Sequence, residues 1–134
     1  MYKILKNLID MFDYSLQKLN PSYRKASRNL LDLQNKTGSV ITLRKLPQKI
    51  PAGVYCFSCD DINKSIAIRL SETNESGTKS KAFSVNYVKD NRRYVTGTID
   101  FEAEYINISS SDTPITNMQL EKGSVPTEYE PYRN

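Results

Sequence analysis

Two hydrophobic periods divide this chain. Over residues 2–19, Leu5, Leu8, Phe12, Leu16 and Leu19 recur at spacings of three or four, and Ile4, Ile9 and Met11 widen the stripe. Side chains three and four apart share one face of an α-helix, so the spacing predicts an amphipathic helix. Lys3, Lys6, Asp10, Asp13 and Lys18 occupy the opposite side. Asn20-Pro21 ends the element, because proline lacks an N–H and clashes with the preceding turn. Residues 1–20 therefore read as a helical arm, and 21–28 (Pro-Ser-Tyr-Arg-Lys-Ala-Ser-Arg) as a polar linker.

From Asn29 onward the period is two. Gly38–Leu43 is a short strand, and Lys45–Pro51, with two prolines, a loop or edge segment. Gly53–Cys59 alternates cleanly, with Val54, Cys56 and Ser58 on one face and Tyr55, Phe57 and Cys59 on the other. Ser65–Ser71 turns Ile66, Ile68 and Leu70 inward, and Ala82–Val88 reads as one strand with Phe83, Val85 and Tyr87 inward. Between Tyr94 and Ile108 the apolar set slips phase, from Ile99, Phe101, Ala103 and Tyr105 to Ile106 and Ile108. Such a slip marks a bulge, or two strands meeting around Gly97 or Tyr105. Ile115–Glu121 is the last strand. Seven or so short strands separated by turns predict an antiparallel β-sandwich over residues 29–134, preceded by the helix; the fold is mainly β.

Charge sharpens the division. Residues 1–28 carry six basic side chains (Lys3, Lys6, Lys18, Arg24, Lys25, Arg28) against Asp10 and Asp13, which is the whole +4 excess of the chain. A basic arm suits nucleic acid, an anionic membrane or an acidic protein surface. Only Tyr23 stands among the linker's basic residues, which ranks nucleic acid last. The apolar stripe favours docking into a partner's groove or bundling with other copies over packing on its own sandwich. Ile4, Leu5, Leu8, Phe12 and Leu16 are the expected partner-binding residues. The arm is short for an independently stable coiled coil.

Composition removes several classes. At 134 residues the chain is long enough to build a core without metal or disulfides. No apolar run approaches the roughly 18 residues of a membrane span. Asp10 and Asp13 interrupt any signal-peptide core, so export by that route is not expected. There is no histidine, which removes Ser-His and Cys-His nucleophile pairs and most catalytic zinc sites. Cys56 and Cys59 form a single Cys-x-x-Cys lying within a strand, where residues three apart point to opposite faces. They read as reduced structural cysteines, not as a disulfide. Asp100, Glu102 and Glu104 alternate along a strand as a solvated face, so no glycosidase pair and no enzyme is expected. Asp60, Asp61 and Asn63 have the residue types of a calcium loop, but an exposed turn favours the same types, and neither metal nor cofactor is expected.

Three stretches carry a resemblance. The domain opens with Asn-Leu-Leu-Asp (29–32), holds Pro-Ala-Gly-Val-Tyr-Cys-Phe (51–57) near its middle, and closes with Met-Gln-Leu-Glu-Lys-Gly-Ser-Val-Pro-Thr-Glu-Tyr-Glu-Pro-Tyr (118–132). This order resembles the carbohydrate-binding-module-like jelly rolls of bacteriophage tail, baseplate and fibre proteins. The resemblance implies a two-sheet jelly roll in a virion protein made in the host cytoplasm. Other virion proteins are then the expected partners of the helix, and several copies or a homo-oligomer the expected state. It also implies host polysaccharide as a ligand in some members. A sugar site wants an exposed aromatic ring beside acids, amides or arginines. With no tryptophan present, Tyr94 with Arg92 and Arg93 is the candidate, and Asp60 and Asn74 are possible polar partners. In the closing stretch, Gly123 permits a turn, and Pro126 and Pro131 direct the tail to an edge or a face, where Tyr129 and Tyr132 cover the end of the core.

Overall fold

The computed structural model describes residues 2–19, 27–33, 35–36, 40–61, 65–75, 77–110 and 115–133, with residues 2, 13–19, 35–36 and 40 taken at backbone level. One helix, α1 (Tyr2–Leu19), precedes ten strands. These are β1 (Asn35–Lys36), β2 (Val40–Ile50), β3 (Gly53–Cys59), β4 (Ile66–Ser71) and β5 (Ser80–Ser84), then β6 (Tyr87–Lys89), β7 (Arg92–Ile99), β8 (Ala103–Ser110), β9 (Ile115–Thr116) and β10 (Gln119–Lys122). Two antiparallel four-stranded sheets, ordered β10-β3-β7-β6 and β2-β8-β4-β5, face each other, and β1 and β9 form a small ladder at one end. The chain passes from one sheet to the other after β2, β3, β5, β7 and β8, so strands adjacent in a sheet, β4-β5 and β6-β7 apart, are not consecutive in sequence. That winding is a jelly roll.

Alternation builds the core. Tyr55, Phe57 and Cys59 of β3, Ile66, Ile68 and Leu70 of β4, Val95 and Ile99 of β7, and Ile106 and Ile108 of β8 are buried together between the sheets. Each large aliphatic or aromatic side chain so buried contributes roughly 1.5–3 kcal/mol. Phe83 of the facing β5 packs directly on Gly97, where an added Cβ would lie 1.9 Å from its Cε1.

Three local features refine the alternation read in the sequence. The Ala82–Val88 segment is two strands. β5 pairs with β4, the chain crosses at buried Val85, and β6 pairs with β7 in the other sheet. Tyr87 therefore points outward and is 61% exposed. Asp90 and Asn91, with φ of 51° and 61°, join β6 to β7 in a two-residue turn whose left-handed residues match the strand twist. Lys45–Ile50 takes the second of its two readings, an edge segment: it is the second half of β2, an edge strand that keeps Pro47 by irregular pairing.

The phase slip of residues 99–108 resolves into a sheet crossing at residues 100–102 and a change of parity between buried Ala103 and Ile106. β2 carries extra residues opposite, between Ile41 and Arg44 and between Lys45 and Ile50. Leu43, at φ 47°, sits at the first of these, with its N–H bonded to the Asn107 side chain. Bulges, lysines and a proline blunt this long edge against unintended pairing.

Candidate functional site

Three surfaces hold the residues singled out above. The first is α1. Its described apolar side chains, Ile4, Leu5, Leu8, Ile9, Met11 and Phe12, are between 52% and 65% exposed, so the sandwich does not cover them. At about 100° per residue these positions occupy nearly half of the helix circumference. Lys3, Lys6 and Asp10 lie on the other half. Leu16 belongs to the same stripe in sequence, but its side chain lies outside the described residues. The helix is not long and apolar enough to cross a membrane.

The second surface is the outer face of the β10-β3-β7-β6 sheet. Gln119, Glu121, Cys56, Ser58 and Arg92 all project outward here, and all are buried. The C-terminal segment covers them. It starts beside β7, where Thr96 donates to the Ser124 carbonyl at 2.6 Å. It then runs over β10, where the Thr127 N–H and hydroxyl donate to Glu121 at 3.1 and 2.7 Å, and the Glu130 N–H donates to the Gln119 Oε1 at 2.9 Å. The Gln119 amide in turn donates to Glu121 at 2.9 Å.

The segment ends against the start of the domain. The Arg133 N–H donates to the Ser27 hydroxyl at 3.0 Å, and the Asn29 amide donates to the Glu130 carbonyl at 3.1 Å. The tail thus lies across a sheet face, one of the two placements its prolines predict. Burial pushes the Tyr129 hydroxyl up from its ordinary pKa, and Arg92 lies 5.8 Å from the centre of that ring.

Arg92, expected as a sugar contact, is a structural cation. It is 8% exposed, pairs with Asp60 at 2.5 Å, and donates to the Ser58 hydroxyl at 2.9 Å and the Asn117 carbonyl at 2.8 Å. Asp60 also accepts from the Asn117 amide at 2.6 Å, and Asp61 accepts from the Thr116 N–H at 2.6 Å. These carboxylates bind protein donors and pin the β3–β4 connection. Asn63 lies outside the described residues, and no group of three or more metal-ligating side chains is found among them. Arg93 turns to the other face and donates to the Val85 carbonyl.

Tyr94 stays on the outer face, paired across the strands with Tyr87, their ring centres 5.7 Å apart and tilted by 38°. This aromatic pair on a sheet edge is what sequence reasoning missed, because Tyr87 reads as inward when β5 and β6 are run together. The two-residue turn at Asp90-Asn91 was the available signal.

The third surface is the outer face of the β2-β8-β4-β5 sheet. A shallow groove of about 330 Å³ runs past Arg69, Ser71 and Asn107 and is rimmed by Asn74 in the β4–β5 loop. The Arg69 guanidinium donates to Ser80 at 2.9 Å. The five expected sugar contacts are therefore not one site: Arg92 and Asp60 are an internal pair, Tyr94 joins Tyr87, Arg93 faces elsewhere, and Asn74 is on the opposite sheet. The acidic row does not run along one strand: Asp100 and Glu102 lie in the crossing from β7 to β8, where Glu102 approaches Lys49 at 4.0 Å, and Glu104 lies in β8, paired with Lys45 at 3.3 Å. Cys56 and Cys59 are free and buried, and burial pushes both thiols up to about 11. A thiol so held is a poor nucleophile.

Fold and surfaces together define a jelly-roll sandwich with an uncovered amphipathic arm. Comparison of the chain with family models, with curated proteins and with solved structures returned no match.

Proposed function

We propose that this chain is a structural or attachment component of a bacteriophage virion, held on the particle by α1 and carrying its jelly roll as a rigid body. The observation that supports the reading most is the asymmetry of burial. The sandwich encloses its own core, while six large apolar side chains of α1 are more than half exposed. A helix with such a face lowers its free energy by docking, at roughly 25 cal/mol per Å² of apolar surface removed from water. Deletion of residues 1–20 tests it. The truncated chain should remain a soluble, folded sandwich that no longer joins the particle, and retained assembly would refute the anchor.

The Tyr87–Tyr94 pair favours a second reading, a lectin-like module for host cell-surface or cell-wall glycan. Two tilted rings on an exposed edge offer apolar faces to the C–H side of a sugar and hydroxyls to its rim. Pull-down on host cell walls, or a glycan array, separates the readings. Glycan binding lost in both Tyr87→Ala and Tyr94→Ala supports the lectin; absence of any glycan signal leaves the structural role alone.

A further inference from the structure

The wide apolar half of α1 contains a narrower pattern. Tyr2, Leu5, Ile9, Phe12, Leu16 and Leu19 follow one another at alternating spacings of three and four, the two seam positions of a heptad. Ile4, Leu8 and Met11 lie along one side of this seam. Within the described side chains, Leu5, Ile9 and Phe12 are 57%, 52% and 63% exposed, so the seam is uncovered.

The seam is symmetric about the middle of the helix, between Asp10 and Met11. Laid against a reversed copy, Tyr2 comes level with Leu19, Leu5 with Leu16, and Ile9 with Phe12. Every layer is apolar and each occurs twice. The flanking charges choose between directions. Lys6 and Asp13 each follow a seam residue, Leu5 and Phe12, and so occupy equivalent flanking positions one heptad apart. In an antiparallel pair these positions meet their own kind across the seam, which brings Lys6 of one copy to Asp13 of the other at both ends. In a parallel pair they meet the opposite flank, where Asp13 would come to Leu8 and find no countercharge. Antiparallel packing also sets the two helix dipoles head to tail.

We infer that α1 pairs antiparallel with α1 of a second copy of this chain, burying the Tyr2–Leu19 seam, with two Lys6–Asp13 pairs fixing the direction. This rests on the reading of α1 as the docking element and names its first partner. Ile4, Leu8 and Met11 stay at the side of the pair as the strip available to the particle. Eighteen residues make a helix about 27 Å long, which is marginal alone, so folding of the arm and pairing are coupled and depend on concentration. The sandwiches leave from opposite ends of the pair.

Sedimentation equilibrium on the full chain is the test. The wild type should move reversibly from monomer to dimer. Lys6→Asp and Asp13→Lys should each weaken the dimer roughly tenfold, since each reverses two pairs, and the double exchange should recover most of that loss. Direction is read separately by thiol capture. A mixture of Leu5→Cys and Leu16→Cys chains should form an interchain disulfide, while neither variant does so alone. Cys56 and Cys59 stay silent because both are fully buried.

A chain monomeric at all concentrations overturns the inference, as do self-capture of Leu5→Cys and charge exchange without recovery. Ordering of α1 only on anionic vesicles, or only on another particle protein, also overturns it. Incorporation into particles, scored on the same variants, keeps the two claims apart. A helix required for incorporation in a chain that never pairs sinks only the pairing; a paired helix dispensable for incorporation sinks only the anchor.

Discussion

Replacing Asn29 by alanine should be among the most damaging single changes in the sandwich. Its side chain is 1% exposed and makes four hydrogen bonds. The amide donates to the carbonyls of Met118 at 3.3 Å and Glu130 at 3.1 Å, while the oxygen accepts from the N–H groups of Leu31 at 3.0 Å and Leu120 at 3.2 Å. Truncation leaves four backbone groups without these partners in a site closed to water. At about 1 kcal/mol for each bond, the loss is roughly 3–5 kcal/mol, against a total stability for a domain of this size of about 5–15 kcal/mol. Asn29→Asp keeps the acceptor but turns a carboxylate oxygen toward two carbonyls, and should cost at least as much. Urea unfolding followed by tyrosine fluorescence and far-UV circular dichroism gives the number. The midpoint should fall with an unchanged slope, and hydrogen exchange at Leu31 and Leu120 should accelerate. A loss below about 1 kcal/mol would show that Asn29 is not the joint described here.

Other changes probe other layers. Gly97→Ala places a methyl inside the Phe83 ring and should cost about 1–3 kcal/mol, and combination with Phe83→Ala should cost less than the sum of the two single changes. The thiols predict a loss of stability in alkali. Burial holds their folded pKa at about 11, above the ordinary thiol value of 9.0, so their contribution is complete below pH 9 and is lost as pH rises through 11. The loss is on the order of 2 kcal/mol per thiol. Urea midpoints from pH 8 to 11 should fall more steeply for the wild type than for a Cys56→Ala/Cys59→Ala variant. Both thiols should resist alkylation until the chain unfolds, and rapid labelling of the native protein would contradict their burial.

Much of this fold is legible in the sequence. The helix at Tyr2–Leu19, the strand Gly53–Cys59 and the inward set Ile66, Ile68 and Leu70 follow from periodicity alone, because each gathers large apolar side chains on one side: toward the core in the two strands, and into an exposed stripe on α1. The outer layer was not legible. Gln119, Glu121 and Arg92 are polar, and alternation sends polar residues to solvent; only the fold back of residues 124–133 encloses them. The split of β5 from β6 was hidden for a related reason. A sheet crossing at Val85 preserves the apolar–polar alternation on both sides, so no break shows. The candidate sugar residues scattered because closeness in sequence, as for Arg92, Arg93 and Tyr94, puts neighbours in a strand on opposite faces.

The opening Asn-Leu-Leu-Asp and the closing Gln-Leu-Glu stretch have a shared physical meaning. Asn29 holds the first to the second, and Gln119 and Glu121 hold the tail that returns to Ser27. The chain therefore leaves the sandwich for its arm at the very place where it ends. Tension drawn through the arm enters at Ser27 and is met first by a few bonds, Ser27 to Arg133, Arg28 to Glu130, and Asn29 to Glu130 and Met118, before any strand of the sheets is loaded. These bonds hand the pull to β10, which is backed by β3 along its whole length. The clasp works as a strain relief. It takes a pull on the arm at one stitched corner and spares the two sheets behind it.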